Sequence, residues 1–250
     1  PAEGGDVERS VATALEYGYR SIDTASLYGN EAGIGAAIAG GGVPRSEIFL
    51  TSKVWNDEQG FDETLSAFER SLKRLGTEYL DLYLVHWPRE QTHDTWRAFE
   101  RLYAEGAVRA IGVCNHLQHH LEALLAVADV PPMVDQYEFH PWLQQPSLRA
   151  YCEAHGIVVE AWAPLMKGRV TEVPELVSIG AAYGKTPAQV AVRWLLQLDA
   201  VAIPKSVHAG RVAENADVFD FALSAEEMAT IAALDRGYRF GPEPDRGGER

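Results

Sequence analysis

Two spacings of apolar residues alternate along the chain. Short runs rich in branched and aromatic residues occur at 19–23, 48–53, 80–86, 110–113, 134–138, 158–162 and 201–204 and predict strands. Between them apolar positions recur every three or four residues, as on a helix with one buried face. Val7, Val11, Ala14 and Leu15 form one such stripe. Leu65, Phe68, Leu72 and Leu75 form another, with Gly76 placed to end that helix in a left-handed turn. Thr186, Pro187 and Gln189 read as cap, first-turn proline and reciprocal capping partner, ahead of an apolar face of Val190, Ala191, Trp194 and Leu195. Ser224 and Glu227 repeat that capping box before a last helix ending near Leu234. Pro146 suits the first turn of a helix through Tyr151.

Strands alternating with helices predict a parallel sheet. An open, doubly wound sheet binding a dinucleotide needs a glycine-rich turn after its first strand. Gly40, Gly41 and Gly42 follow a helix instead, and Gly184, Lys185 and Thr186 lack the rest of a phosphate loop. A closed barrel carries its chemistry at the C-terminal ends of several strands, and the polar residues here are placed that way. The expected fold is therefore α/β, a TIM (β/α)8 barrel in one domain over 1–250, with an irregular tail from Gly237. Seven strands are visible where eight are needed. The first is expected to precede Pro1.

Composition narrows the function. The chain has 250 residues, 46% of them hydrophobic, enough for one large core, and a formal net charge of -14. That charge disfavours duplex nucleic acid and anionic membranes as partners, though not a small anionic ligand in a local basic pocket. The two cysteines, Cys114 and Cys152, lie in or beside apolar runs and read as buried free thiols. No run of 18 apolar residues and no basic-then-apolar leader is present, so a cytoplasmic location is expected.

Asp23, Lys53 and His86 each close one of three consecutive strands, and Tyr28 follows Asp23 by a short loop. Singly, Asp23 reads equally as a helix cap, Lys53 as a snorkelling cation, and His86 and Tyr28 as packed polar residues. Jointly they suit carbonyl reduction. Hydride addition builds negative charge on the carbonyl oxygen, and a proton donor there stabilises the transition state. In this reading Tyr28 is the acid, the Lys53 ammonium lowers its pKa, Asp23 supports Lys53, and His86 orients the carbonyl.

At these residues the chain resembles the aldo-keto reductase family. The run Asp23-Thr24-Ala25-Ser26-Leu27-Tyr28-Gly29-Asn30-Glu31 is similar to its aspartate-to-tyrosine motif. Lys53-Val54-Trp55 and Leu84-Val85-His86-Trp87-Pro88 are similar to its lysine and histidine strands. The likeness continues at 111–115, 135–141, 161–165 and 203–207, in the family's order. It implies an NADPH-dependent carbonyl reductase on a TIM-type barrel, often monomeric. It implies Cys114, Asn115 and Gln136 at the nicotinamide carboxamide and Trp162 stacked on the ring. It also implies Lys205, Ser206, Val207, His208 and Arg211 around the 2′-phosphate, with Glu214 and Asn215 at the adenine. Trp55, Trp87 and His86 would line the substrate end. The family usually has serine at position 114, and a thiol is the weaker donor. Val218-Phe219-Asp220-Phe221 and the tail from Gly237 are most similar to the bacterial 2,5-diketo-D-gluconate reductases.

His116, His119 and His120 invite a metal reading, but the start of an exposed helix after Asn115 accounts for them, and no metal is expected. Two rival functions remain: a barrel lyase using Lys53 as a Schiff base, and a non-enzymatic nicotinamide-binding barrel.

Overall fold

The structure is a computed structural model that describes residues 4–247. The expectations for Pro1–Glu3 and for the tail at 248–250 lie outside the described residues.

Among the described residues seven strands and ten helices form; the strands are β1 (Ser21–Asp23), β2 (Phe49–Val54), β3 (Leu80–Val85), β4 (Val108–Cys114), β5 (Val134–Glu138), β6 (Val158–Trp162) and β7 (Val201–Ala202). All pairs are parallel and the spatial order equals the chain order. Ten helices alternate with or extend the strands: α1 (Gly4–Glu16), α2 (Glu31–Gly40), α3 (Phe61–Leu75), α4 (Thr92–Ala104), α5 (Gln118–Leu125), α6 (Pro146–Ala154), α7 (Pro174–Tyr183), α8 (Pro187–Gln197), α9 (Ala209–Ala216) and α10 (Ala225–Ala232). No helix among the described residues is long and apolar enough to cross a membrane.

Among the described residues this is the expected α/β architecture, a seven-stranded parallel sheet curled as in a (β/α) barrel, with β1 and β7 at its edges. The curl brings the two flanks together. α1 packs against α9, and the Tyr19 hydroxyl donates to the carbonyl of Val212 across the opening at 3.1 Å. β7 is shorter than its apolar run because Pro204 has no N–H to extend the ladder, although Ile203 N–H still reaches the Ala161 carbonyl at 3.1 Å.

The expected caps are present. Gly76 ends α3 at φ 64°, and Thr186–Gln189 and Ser224–Glu227 form capping boxes on α8 and α10. α10 stops at Ala232, two residues short of the expected end. The main core lies between sheet and helices. β3 is buried on both faces, as a central parallel strand must be. Its inward residues Leu82 and Leu84 meet Val134, Ala110 and Met133 inside the barrel. Gly112 belongs to that inner layer. A methyl added to it would lie 2.5 Å from the Val134 carbonyl oxygen and 2.8 Å from Leu84 Cδ2. Gly112→Ala is therefore expected to destabilise the fold by about 2 kcal/mol, read as an earlier midpoint in urea unfolding.

Candidate active site

The C-terminal ends of the strands converge on one mouth. Asp23 closes β1, Lys53 is the penultimate residue of β2, and His86 directly follows β3. Lys53 is fully buried. Its Nζ donates to Asp23 Oδ1 at 2.5 Å and to the Thr24 carbonyl at 3.0 Å. Burial alone would lower its pKa. Asp23, with Tyr28 and Cys114 adding, more than offsets that and raises it, so Lys53 stays an ammonium.

Tyr28 is delivered by a turn at Ser26–Tyr28 that Gly29 ends at φ 65°. Two side-chain bonds hold this loop: Ser26 Oγ donates to Glu58 at 2.7 Å and Thr24 Oγ1 to Asn30 Oδ1 at 2.7 Å. Lys53 Nζ lies 5.2 Å from the Tyr28 ring centre, and the ring meets His86 edge-on at 5.7 Å. Trp55 packs edge-on against the other side of His86 at 5.0 Å. Trp87 is buried, and its carbonyl accepts from Gln59. Tyr28 departs from the sequence expectation. Although the residue as a whole is 43% exposed, desolvation of the phenol outweighs the opposing pull of Lys53, so its pKa is raised rather than lowered. The pKa of His86 is driven well below its ordinary value by burial and by Lys53, leaving a neutral imidazole.

The implied carboxamide residues form a row. Cys114 on β4 registers with Gln136 on β5, which registers with Glu160 on β6. Gln136 Nε2 donates to Asp23 Oδ2 at 2.8 Å and to Glu160 Oε2 at 2.9 Å. Cys114 Sγ lies 3.7 Å from Gln136 Oε1, and burial pushes its pKa well up, so it is a neutral thiol. Asn115 adopts φ 60° just past β4. Its Nδ2 donates to the His86 carbonyl at 3.0 Å, and its Oδ1 accepts from Trp162 Nε1 at 2.8 Å.

A cavity of about 620 Å³ joins the two halves of the site, lined among others by Asp23, Tyr28, Gln136, Trp162, Lys205 and Asn215. Ser206 and Val207 also line it, whereas His208, Arg211 and Glu214 are exposed beside it around the start of α9. Ser206 Oγ accepts from the His208 N–H at 3.1 Å. α9 begins at Ala209, directly after this segment.

Sequence reasoning passed over two buried acids. Glu160 is the first. Glu138 is the second: it pairs with His140 at 3.0 Å and accepts the backbone N–H groups of Phe240 and Gly241 at 2.7 and 3.0 Å, pinning the tail beside Trp162.

The histidine expectation is corrected. Asn115 turns the chain, the helix begins only at Gln118, and His116 is buried rather than exposed. Its Nδ1 faces the Cys114 carbonyl at 3.0 Å and must donate, which leaves Nε2 unprotonated and without a partner among the described residues. Burial lowers its pKa to about 3. His119 and His120 meet Asp245 of the tail at 2.9 and 3.4 Å, a grouping with ligand-like spacing. The Nδ1 of His120 accepts the Leu117 N–H at 3.1 Å, so its Nε2 carries the proton, which suits a hydrogen bond to Asp245 better than a metal bond.

Comparison with known proteins bears on the family. A family model described as Aldo/keto reductase family matches residues 4–236. The chain is similar to glyoxal reductase of Bacillus subtilis (strain 168), 53% identical over 97% of this chain and 88% of the relative. Among solved structures it is similar to a Gox0644 mutant in complex with NADPH. There the identity is 44%, the TM-score 0.93, and the coverage 98% of this chain and 90% of that one. It is also similar to a putative 2,5-diketo-D-gluconic acid reductase B, with 37% identity, a TM-score of 0.93, and coverage of 97% and 88%.

Two outcomes are expected from these contacts. Asp23→Asn leaves Lys53 buried without its counter-charge and is expected to cost about 3 kcal/mol of stability in urea unfolding. His116 sets a pH dependence. Its folded pKa lies below the unfolded value, so as pH falls below about 6.5 only the unfolded chain takes up the proton, and stability is lost towards pH 3. At pH 5 this amounts to about 2 kcal/mol. His116→Asn, which keeps a donor to the Cys114 carbonyl, is expected to shrink the fall in Tm between pH 7.5 and pH 5. An unchanged fall would exclude His116 as its source.

Proposed function

The chain belongs to the aldo/keto reductase family, and from that premise we propose that it reduces a small carbonyl compound with NADPH, Tyr28 acting as the proton donor. The observation that carries this reading is the buried Lys53–Asp23 pair beneath Tyr28. It supplies a permanent positive charge where an alkoxide would form. Tyr28 delivers the proton from its hydroxyl, and Lys53 stabilises the tyrosinate left behind. The raised pKa of Tyr28 keeps the proton in place at neutral pH until negative charge on the substrate oxygen draws it off. Neutral His86, between Tyr28 and Trp55, hydrogen-bonds the substrate oxygen and aims it at Tyr28.

When bound, NADPH supplies the hydride. The residues present fit it. Gln136 offers a carbonyl with spare capacity, next to the Cys114 thiol and the Asn115 amide, whose N–H groups are held by the His86 carbonyl and Cys114 Sγ and whose Oδ1 accepts from Trp162. Trp162 borders the same cavity. Lys205 and Arg211, at the start of α9, have no acidic partner among the described residues, in a chain of net charge -14. Two unpaired cations at a helix start suit a phosphate, with Ser206, Val207 and His208 around it and Glu214 and Asn215 at the adenine.

The substrate class favoured is a small aldehyde or α-dicarbonyl. Identity to the glyoxal reductase of Bacillus subtilis, 53%, exceeds the 37% to the putative diketogluconic acid reductase, so a keto-sugar acid is the second reading. The lyase alternative needs a neutral, accessible lysine, and Lys53 is charged and buried.

NADPH absorbance in the presence of glyoxal, methylglyoxal, aromatic aldehydes and keto-sugar acids tests the reading, with dicarbonyls expected to give the highest kcat/KM. Silence across the panel would remove the reductase assignment. Tyr28→Phe is expected to lower kcat at least about 100-fold while the NADPH dissociation constant moves less than about threefold. Undiminished turnover in that variant would transfer the acid role to another group.

A further inference from the structure

Glu160 sits in β6, in register with Gln136 and 7% exposed. Its carboxylate has one side-chain partner, the amide of Gln136. That amide nitrogen carries two hydrogens, and each meets a carboxylate oxygen, one on Asp23 at 2.8 Å and one on Glu160 at 2.9 Å. Ionised carboxylates only accept, so the amide has one stable orientation. Turned over, its carbonyl would face two carboxylates and both N–H groups would lose their acceptors. Asp23 cannot impose this alone, because its other oxygen is drawn to Lys53 and the side chain keeps some exposure to solvent.

We propose that Glu160 is a positioning residue: by accepting the second N–H of Gln136 it holds that amide with its carbonyl turned to the nicotinamide carboxamide. This rests on the reading that Gln136 meets the carboxamide. Among the described residues the Gln136 carbonyl has only the Cys114 thiol as a hydrogen-bond partner, at 3.7 Å, so it has room for a donor from the cofactor. The bonding also spans the mouth. Gln136 reaches from β5 to Asp23 on β1, so the group that orients the carboxamide also braces the carboxylate that holds Lys53. Burial raises the pKa of Glu160, while the bond from Gln136 and the charge of Lys53 oppose that and favour the carboxylate, the form that only accepts.

The test is a binding cycle rather than a rate. Dissociation constants of NADP⁺ and its 3-acetylpyridine analogue, in which a methyl replaces the carboxamide NH₂, are measured by tryptophan fluorescence for the wild type, Glu160→Met and Glu160→Gln. Glu160→Met is expected to weaken NADP⁺ about fivefold and the analogue less than about twofold, because the analogue has no N–H to lose. Glu160→Gln, which retains an acceptor oxygen, is expected to stay within about twofold of wild type for both. Equal weakening of both ligands by Glu160→Met overturns the proposal. So does a Glu160→Gln variant that loses the preference for NADP⁺, an outcome readable even if Glu160→Met fails to fold. Gln136→Met separates the premise: if it binds both ligands like the wild type, the carboxamide reading of Gln136 falls, whereas if it loses the preference while Glu160→Met keeps it, Glu160 alone is refuted.

Discussion

A single buried ammonium organises the mouth of this barrel. Lys53 has no exposed surface, and a charge in that position is tolerated only with a counter-charge and filled hydrogen-bond geometry. Parallel register supplies both. Asp23 stands opposite Thr51, which shares a face of β2 with Lys53 two residues on, so the lysine lies alongside the end of β1. The Thr24 carbonyl takes a second proton of the ammonium. With the chain thus held at Asp23 and Thr24, the loop that follows has little freedom, and Tyr28 arrives over the pair.

The same carboxylate links two tasks. One oxygen of Asp23 serves Lys53 and the other serves Gln136, so in the proposed mechanism proton donation and cofactor orientation would share one side chain. A barrel allows this because strands distant in sequence present their ends to a common space; Asp23 and Gln136 are 113 residues apart. The tail is tied into this space by a different acid, Glu138, through backbone N–H groups rather than side chains.

The strands and helices were largely legible because the apolar period is local, and departures arose where one residue overrode it. Pro204 cut β7 short, and the left-handed turn at Asn115 delayed α5, which is why His116 went inside. Asp23, Lys53 and His86 could be found because ionisable residues ending consecutive strands are conspicuous. Glu160 could not, since within an apolar run ahead of Trp162 nothing local distinguishes a buried acid from a solvent-facing one. Only the register with Gln136 reveals its partner. Sequence spacing also misjudged the phenol of Tyr28, because it discloses neighbouring charges but not how much water each group has lost.

Amines and thiols attack aldehydes, so the reduction proposed above would set a reactive electrophile beside the protein's own nucleophiles. The two strongest candidates at this mouth are both silenced. Lys53 has its lone pair occupied by a proton that Asp23 holds in place, and Cys114 remains a buried thiol rather than a thiolate. In the proposed reaction the pairing that would supply charge for proton transfer also keeps the amine inert, so a bound electrophile would meet neither a free amine at Lys53 nor a thiolate at Cys114.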